Sequence, residues 1–264
     1  MNASHADELL LRSDADGVAT LTLNRPLARN ALSTGLMGAI QAELAAIGKD
    51  ASVRTVVIAA NGPAFCAGHD LREVRANPGR AAYEALFAQC SDMMLAITRL
   101  PQPVIARVHG TASAAGCQLV ATCDLAVALR MAHFATPGVN IGLFCSTPMV
   151  ALSRNMGRKQ TMEMLLTGEM LAADDACAAG LVNRVVAGEE DLDDQIETWC
   201  AHISSKSPLT LKIGKEAFYR QLDMKLEDAY GYASRVMVEN MMTRDAGEGI
   251  DAFLEKRTPE WTGE

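Results

Sequence analysis

Basic residues are scarce in this 264-residue chain. It has 24 lysines and arginines against 32 aspartates and glutamates, which gives a formal net charge of −8. Proteins that bind nucleic acid present clustered positive charge to the phosphates. The acidic balance therefore predicts that nucleic acid is not a partner, while a small anionic ligand held by a few local cations is compatible with it.

The sequence also lacks long apolar runs and targeting patterns. No apolar run reaches the roughly 20 residues that a membrane helix requires. The segment MNASHADELLLRSDADG has neither the basic region nor the apolar region of a secretory signal, and it is acidic, unlike a mitochondrial transit peptide. These absences predict a cytoplasmic protein with no membrane partner.

The seven cysteines include no CxxC pair, and the five histidines show no HExxH spacing. An odd number of cysteines in apolar surroundings favours reduced, buried thiols in a reducing compartment. Because no set of side chains has the spacing of metal ligands, we expect no metal site.

Strand and helix patterns alternate through the first half of the chain. The short runs GVATLTLNRP, RTVVIAA, PVIARVHG and CDLAVAL predict strands, and NGPAFCAGHDL, rich in structure-breaking residues, predicts a loop. Helices are predicted after Ser33 as N-cap, over 83–100, and over Ala115 to Thr122. This alternation predicts an α/β fold with largely parallel pairing and right-handed crossovers.

From about Thr147 onward the pattern is helical, and LVNRVV is the one further predicted strand. Pro208 marks a predicted boundary between an α/β core, residues 1–207, and a C-terminal helical region, residues 208–264. The run MKLEDAYGYASRVMVENMM carries a stripe of Met and Leu that suits a subunit interface.

Two segments, AFCAGHDL and ASAAGCQL, share one design: small residues and a glycine precede a predicted helix start. The first N–H groups of a helix have no partner inside it and can face a developing negative charge. Two such groups converging from separate segments would form an oxyanion hole. From spacing alone, a second interpretation stays open, in which these are tight helix–strand contacts in a packed core.

Six motifs resemble the crotonase superfamily, also called the enoyl-CoA hydratase/isomerase family, in order and spacing over nearly the whole chain. They are LNRPLARNAL (Leu23–Leu32), FCAGHDL (Phe65–Leu71), PVIARVHGTASAAGCQLVATCDLAVA (Pro103–Ala128), EMLLTG (Glu163–Gly168), AAGLVNRVV (Ala178–Val186) and EGIDAFLEKRTP (Glu248–Pro259). A further segment, FATPGVNIGLFCSTP (Phe134–Pro148), is most similar to one branch of that family. The resemblance implies a spiral of ββα units, with C-terminal helices that close the pocket and build a homotrimer or hexamer.

The resemblance also implies the substrate and its site. The substrate would be an acyl-CoA thioester whose oxygen lies between the backbone N–H groups of His69 and Ala115, with coenzyme A entering as part of the substrate and no separate cofactor. The residues implied to contact CoA are Arg25, Ala28, Arg29, Ala67, Gly68, Asp70, Leu71 and Lys256, with Arg72 and Arg257 as further cations.

The chain departs from the family at the two acids that position water and move protons in hydratases. Gln118 stands at the position of one glutamate and Gly138 at the position of the other. A glutamine can hold water through its amide but cannot take its proton, and glycine offers no side chain. Efficient standard hydration is therefore not expected.

Other groups could substitute for the missing acids. The loop after Gly138 carries Asn140, Ser146, Thr147 and Cys145, of which the thiol could act as a nucleophile only with a base or a lowered pKa. The His69 imidazole could act near neutral pH, or His69 could supply only its backbone. His109 and His133 are expected to pack beside the pocket, and Asp124 to anchor the junction after its helix.

Three functions remain open from the sequence. The first is an enzyme that stabilises a thioester enolate, with unfamiliar acid–base groups or weak hydratase or isomerase activity. The second is an acyl-CoA binding protein without catalysis, and the third is a CoA thioester hydrolase.

Overall fold

The computed structural model describes residues 8–264. Residues 1–7, on which the expectation about targeting signals partly rests, lie outside this range. No helix of the described range is long and apolar enough to cross a membrane.

A six-stranded sheet forms the centre of the molecule. Its strands are β1 (Leu10–Ala15), β2 (Val18–Leu23), β3 (Thr55–Ala60), β5 (Val104–Val108), β7 (Leu125–Leu129) and β10 (Arg184–Val186), in the order β1-β2-β3-β5-β7-β10. The β1–β2 pair is antiparallel, and every other pair is parallel. The four strands predicted in the first half, together with LVNRVV, are confirmed, and β1 is an addition that the sequence analysis missed.

A second, smaller sheet lies alongside the first. Its strands are β4 (Ala64–Cys66), β6 (Thr111–Ser113), β8 (His133–Ala135) and β9 (Leu171–Ala172), in the order β4-β6-β8-β9. The prediction of a loop over NGPAFCAGHDL is therefore wrong at Ala64–Cys66, which pairs with β6. Two or three residues are too short to show the alternation that identifies a strand in sequence.

The chain winds between the two sheets as a spiral. The pairs β3–β4, β5–β6 and β7–β8 each place one strand in the large sheet and the next in the small one, and helices follow each pair. This repeated ββα arrangement confirms the expected fold class.

The helices occupy α1 (Thr34–Ile47), α2 (Leu71–Ala76), α3 (Arg80–Arg99), α4 (Ala115–Thr122), α5 (Pro148–Asn155), α6 (Arg158–Thr167), α7 (Ala173–Ala178), α8 (Glu189–Ser204), α9 (Pro208–Gln221), α10 (Leu226–Met241) and α11 (Arg244–Glu255). The Ser33 hydroxyl accepts a hydrogen bond from Leu36 N, which confirms the predicted cap of α1. The apolar face of α1 is buried against the large sheet and α3.

The C-terminal helices α9 and α10 have no fully buried residue. Their exposed apolar side chains, with those of α11, are Phe218, Leu222, Leu226, Tyr230, Met237, Val238, Met241, Met242, Ile250, Phe253 and Leu254. The division at Pro208 coincides with the start of α9, but the separate role of residues 208–264 in oligomerisation and pocket closure stays a prediction.

A buried ionic cluster fastens α9 to the spiral. Lys215 Nζ donates hydrogen bonds to the carbonyls of Ile97 and Gln102 and to the Asp124 carboxylate at 2.6 Å. The same carboxylate accepts from Tyr219 Oη at 2.8 Å and from Val104 N at 2.7 Å. Asp124 thus anchors the junction after α4, as expected.

Burial shapes the charge state of this cluster. Only 8% of the Lys215 side chain is exposed, and loss of water around the ammonium lowers its pKa against the opposing effect of Asp124. Burial likewise raises the pKa of Tyr219 above its ordinary value. The ammonium nevertheless has three acceptors, so the cluster is satisfied as a unit.

We expect Lys215→Met to lower the free energy of unfolding by about 3 kcal/mol, because removal of one partner leaves a half-buried carboxylate and two carbonyls without their donor. Denaturant unfolding at one fixed protomer concentration measures the change. Lys212→Met, at an exposed position on the same helix, is the control and should shift stability by less than about 0.5 kcal/mol. Equal effects of the two variants would contradict this account of the cluster.

Candidate active site

The backbone of residues 66–68 lies directly against that of residues 113–116. A Cβ atom built on Gly116 would lie 2.2 Å from the Cys66 carbonyl oxygen. A Cβ built on Gly68 would lie 2.9 Å from Ala114 Cβ and 3.3 Å from Ala115 N. Both positions therefore require glycine, because a side chain there would collide with the facing segment. The two segments predicted from the sequence are thus in contact.

The His69 amide owes its position to a single β-bridge. Leu32 pairs with His69 as parallel neighbours, so that Leu32 N donates to Gly68 O and Asp70 N donates to Leu32 O. Successive N–H groups of an extended chain point to opposite edges, so the His69 N–H points away from Leu32. Within residues 8–264 this N–H has no hydrogen-bond acceptor.

One detail of the sequence analysis needs correction here. His69 precedes Asp70, which is the N-cap of α2, so its N–H does not belong to a helix start as predicted. The β-bridge, rather than a helix end, leaves this N–H unpaired.

The Ala115 amide is the first of α4, where an N–H has no partner within the helix. Ala114 before it adopts φ 50° and ψ −117°, an unusual conformation for a residue with a side chain. Ala114 N donates to Ala135 O, which holds this turn against β8. In the described part of the chain the Ala115 N–H also has no acceptor, so two free amides flank the Gly68–Ala115 contact.

Arg25 and Asp70, both predicted to contact CoA, contact each other in the structure. Arg25 Nη2 donates to Asp70 Oδ2 at 2.8 Å, and Arg25 Nη1 donates to the Ala31 carbonyl. The hydrogen bond from Arg25 is the main cause that lowers the pKa of Asp70. The Asp70 carboxylate also caps α2, because it accepts hydrogen bonds from Arg72 N and Glu73 N. The geometry gives both side chains a structural role in holding this loop.

The sequence analysis missed Asn30, whose side chain holds the same loop through hydrogen bonds to the backbone. Its amide donates to the carbonyls of Asn61 and Ala64 and accepts from Arg25 N, and the side chain is fully buried. Asn30 has φ 53°, a left-handed conformation that asparagine tolerates better than most residues. The only hint in the sequence is an asparagine placed just before an apolar residue in LNRPLARNAL.

The remaining predicted CoA contacts fall into two groups. Ala28, Arg29, Ala67 and Leu71 lie on the partly or fully exposed rim beside Gly68. Lys256 ends α11, which packs against α9 and α10. Arg29, Arg72 and Lys256 have no ion-pair partner in the part of the chain that the structure describes, whereas Arg257 pairs with Glu248 and Glu255. The assignment of these residues to CoA stays a prediction.

Gln118 lies one turn after Ala115 on α4, a helix whose eight residues are all buried. The residue is 5% exposed, and its Oε1 atom has no hydrogen-bond partner within residues 8–264. Buried polar atoms are nearly always paired with protein, water or ligand. The structure therefore places an amide oxygen without a protein partner one helical turn after the free N–H of Ala115.

The space beside Gly138 is already filled. A Cβ built there would lie 2.6 Å from the Leu143 carbonyl oxygen and 2.9 Å from Cys145 Sγ, while Leu143 N donates to Gly138 O at 2.9 Å. The loop folds back onto Gly138, so an acidic side chain has no room at this position. Burial raises the pKa of the Cys145 thiol, which argues against its role as a nucleophile.

His109 and His133 have backbone partners, as expected of packing residues. The His109 ring contacts Gly62 O at 2.8 Å and the His133 ring contacts Met131 O at 3.0 Å. The His69 ring instead meets Phe87 of α3 edge-on, with ring centroids 5.6 Å apart. Among His, Cys, Asp and Glu of the described range, no group of three is arranged to hold a metal ion.

The sequence matches the enoyl-CoA hydratase/isomerase family over residues 13–264. The chain belongs to the enoyl-CoA hydratase/isomerase family, as the six motifs predicted. The branch indicated by Phe134–Pro148 is that of enoyl-CoA hydratase domain-containing protein 3, and relatives of this name confirm the similarity.

Three comparisons define the similarity. The human mitochondrial enoyl-CoA hydratase domain-containing protein 3 is 45% identical over 249 residues, 94% of this chain and 82% of the relative. Its crystal structure matches with a TM-score of 0.93 and 43% identity over 96% of this chain and 100% of that chain. An enoyl-CoA hydratase structure from Mycobacterium smegmatis matches with a TM-score of 0.94 and 59% identity over 97% of this chain and 99% of that chain.

The comparisons overturn one expectation. Cytoplasmic location was predicted from the absence of a transit-peptide pattern, but the similar proteins from rat, mouse, human and Xenopus laevis are all named as mitochondrial. The prediction of a cytoplasmic protein is therefore wrong. Acidic composition near the start of the chain was too indirect a basis for it.

We expect Gly116→Ala to separate the two segments, because the added methyl group would overlap the Cys66 carbonyl, which is backbone and cannot rotate away. The loss of stability should reach about 3 kcal/mol, the upper range for overpacking. Gly214→Ala on α9 is the control, since a Cβ there meets nothing within 4 Å. That variant should be neutral or more stable by up to about 1 kcal/mol in thermal unfolding.

Glutamate should have different effects at the two positions, 118 and 138, where the resemblance implies acids. Gln118→Glu is nearly isosteric, but burial without a partner raises the pKa of the new carboxyl. The folded state then holds the proton more tightly than the unfolded state, so the deficit in stability against wild type grows from pH 5 to pH 8. Gly138→Glu should instead lose about 1–3 kcal/mol at every pH, because its defect is steric. Urea unfolding across this pH range separates the two, and identical pH dependence would contradict the assignment.

Proposed function

We propose that the protein binds an acyl-CoA thioester and stabilises the enolate of its acyl group. The thioester oxygen accepts hydrogen bonds from His69 N and Ala115 N. The observation that carries this proposal is that both N–H groups lack an acceptor while their segments touch at Gly68 and Ala115. Membership of the family supports CoA thioesters as the substrate class.

The site suits a charge that grows during reaction. Enolate formation moves negative charge onto the thioester oxygen, where two prepositioned amides gain strength in a buried setting. The N-terminus of α4 adds a favourable dipole at Ala115. Small residues at 67, 68, 114 and 115 allow the oxygen to reach the backbone itself.

Efficient hydration is not part of the proposal. A relative from Escherichia coli, 33% identical, is named 2,3-dehydroadipyl-CoA hydratase, but this chain has Gln118 and a filled space at Gly138 where acids would be needed. Proton transfer must therefore involve another group, or hydratase and isomerase activity must be weak.

Charge and shape support the remaining parts of the proposal. Arg29 and Arg72 are exposed cations beside the loop of Gly68 and can meet the phosphates of CoA. The exposed apolar residues of α9 to α11 support self-association, as a homotrimer or a hexamer, for a role in acyl-CoA metabolism such as that of fatty acids. No separate cofactor is proposed, since coenzyme A is part of the substrate.

A second candidate function is acyl-CoA binding without catalysis. The filled space at Gly138 favours it, because Leu143 and Cys145 leave no room for an acidic side chain there. Hydrolysis of the thioester is a weaker alternative and would be detected as free thiol. Calorimetry with butyryl-CoA together with a thiol-release assay tests both alternatives on the wild-type protein.

We expect the wild-type protein to exchange the α-protons of butyryl-CoA for deuterium in heavy water, measured by mass spectrometry. Ala115→Pro removes one amide donor at the first position of α4, and circular dichroism checks that the variant is folded, because Ala114 before it has φ 50°. The exchange rate should fall about 10²–10³-fold, the effect of losing one donor to an oxyanion. Arg244→Pro, at the first position of α11, is the matched control and should leave exchange unchanged.

The outcomes separate the candidate functions. Binding of butyryl-CoA without exchange would sink enolate stabilisation and favour the non-catalytic function. If a folded Ala115→Pro variant still exchanged protons at the wild-type rate, the Ala115 amide would have no role in stabilising the enolate. Hydration of crotonyl-CoA, followed by its enoyl absorbance, should be no faster than in Gln118→Ala.

A further inference from the structure

Ala114, the residue before the free N–H of Ala115, has a backbone conformation that residues with side chains rarely adopt. Its φ of 50° and ψ of −117° lie in a region that suits glycine and costs other residues strain. Both of its backbone polar groups are held, since Ala114 N donates to Ala135 O at 2.8 Å and Ala114 O accepts from Gln118 N at 3.0 Å. Bonds to β8 and within α4 therefore fix Ala114 in this conformation.

This conformation places the Ala114 methyl group directly beside the Ala115 N–H. About the Cα–C bond of an L-residue, Cβ lies one third of a turn from the backbone N, so that at ψ −117° it eclipses the N atom of the next residue. The peptide bond between the two residues is trans, which puts the N–H on the same side as the preceding Cα. The methyl carbon and the N–H of Ala115 thus lie nearly in one plane and touch.

The same methyl group faces the opposite segment. A Cβ built on Gly68 would lie 2.9 Å from Ala114 Cβ and 3.3 Å from Ala115 N. Ala114 Cβ therefore lies in the gap between the two segments that carry the free amides. The gap is too narrow for the methyl group to move away without shifting backbone.

We propose that the Ala114 methyl group weakens the hydrogen bond that Ala115 N gives to the thioester oxygen, and so limits how strongly the site stabilises an enolate. An oxygen on the line of the N–H bond would overlap the methyl group, so the oxygen must approach from the side away from it. Hydrogen bonds lose strength as they bend. This inference rests on the proposed function, which supplies the oxygen.

The methyl group should matter more for the reaction than for binding. A hydrogen bond to a charged oxygen is about twice as strong as one to a neutral oxygen, so bending it costs more once the enolate forms. An interaction that gains strength only as charge develops changes the rate rather than the affinity for substrate. Ala114 would then determine the activity of the site without contributing a polar group to it.

The test compares Ala114→Gly with wild type in the deuterium exchange of butyryl-CoA. The variant keeps both amides and removes only the methyl group, so exchange should become about 3–10-fold faster, a part of the effect of one whole donor. The dissociation constant for butyryl-CoA, measured by calorimetry, should change by less than about twofold. Ala187→Gly, at an exposed bend before α8 with negative φ, is the control and should exchange at the wild-type rate.

A double variant shows whether the gain passes through the Ala115 N–H. Ala114→Gly/Ala115→Pro lacks both the methyl group and the donor, so exchange should fall below the wild-type rate instead of rising. Removal of the methyl group also makes room for the proline ring, which otherwise collides with the preceding side chain. A gain that persisted in the double variant would overturn the proposal.

Stability checks the conformation on which the inference depends. Ala114→Gly relieves strain at a left-handed φ, so its urea midpoint should lie above that of wild type. Ala187→Gly only adds freedom to the unfolded chain, so its midpoint should lie slightly below that of wild type. A midpoint for Ala114→Gly below that of Ala187→Gly would contradict the strained conformation and overturn the proposal.

The outcomes distinguish this inference from the function beneath it. If wild type exchanges and a folded Ala114→Gly variant is no faster, the role of the methyl group is overturned and the enolate function stands. If only Ala114→Gly exchanges, the inference is supported and the wild-type protein is a binding protein. If both bind butyryl-CoA and neither exchanges, the inference and the enolate function are overturned together.

Discussion

The close approach of two backbone segments, 66–68 and 113–116, is the constraint on which the site depends. Gly116 leaves no space for even one methyl group against the Cys66 carbonyl, and Gly68 is nearly as restricted by Ala114 and Ala115. Backbone atoms can approach this closely only where side chains are absent or small. The spiral imposes the approach, because β4 and β6 are neighbours in the small sheet and both segments continue directly from these strands.

The same constraint separates what the backbone contributes from what side chains contribute. The two free amides depend on a β-bridge between Leu32 and His69 and on the start of α4 at Ala115, both of which are features of the backbone. The proton-transfer groups depend on individual side chains, and here the loop that follows Gly138 has occupied the space of one of them. The positions of the two free amides and the identities of the side chains at 118 and 138 are thus set by independent features of the chain.

Much of the fold could be predicted from the sequence, since α1, α4 and the buried strands of the large sheet have clear periodicity. Ser33 and the start of α4 at Ala115 were placed correctly because capping and small-residue patterns are local. The strands of the small sheet were missed because two or three residues carry no period. The packing of Leu143 and Cys145 onto Gly138, and of Phe87 onto His69, joins residues distant along the chain and leaves no local signal.

Family membership therefore constrains this protein unevenly. Every residue type except proline supplies an amide N–H, so the oxygen-binding half of the site survives substitution and can be carried over with the fold. A carboxylate is lost by one substitution, and a fold alone does not determine the chemistry that remains. In this chain Gln118 and Gly138 carry no ionisable side chain at the two positions where the resemblance implies acids, so membership of the family does not by itself assign the groups that would move a proton.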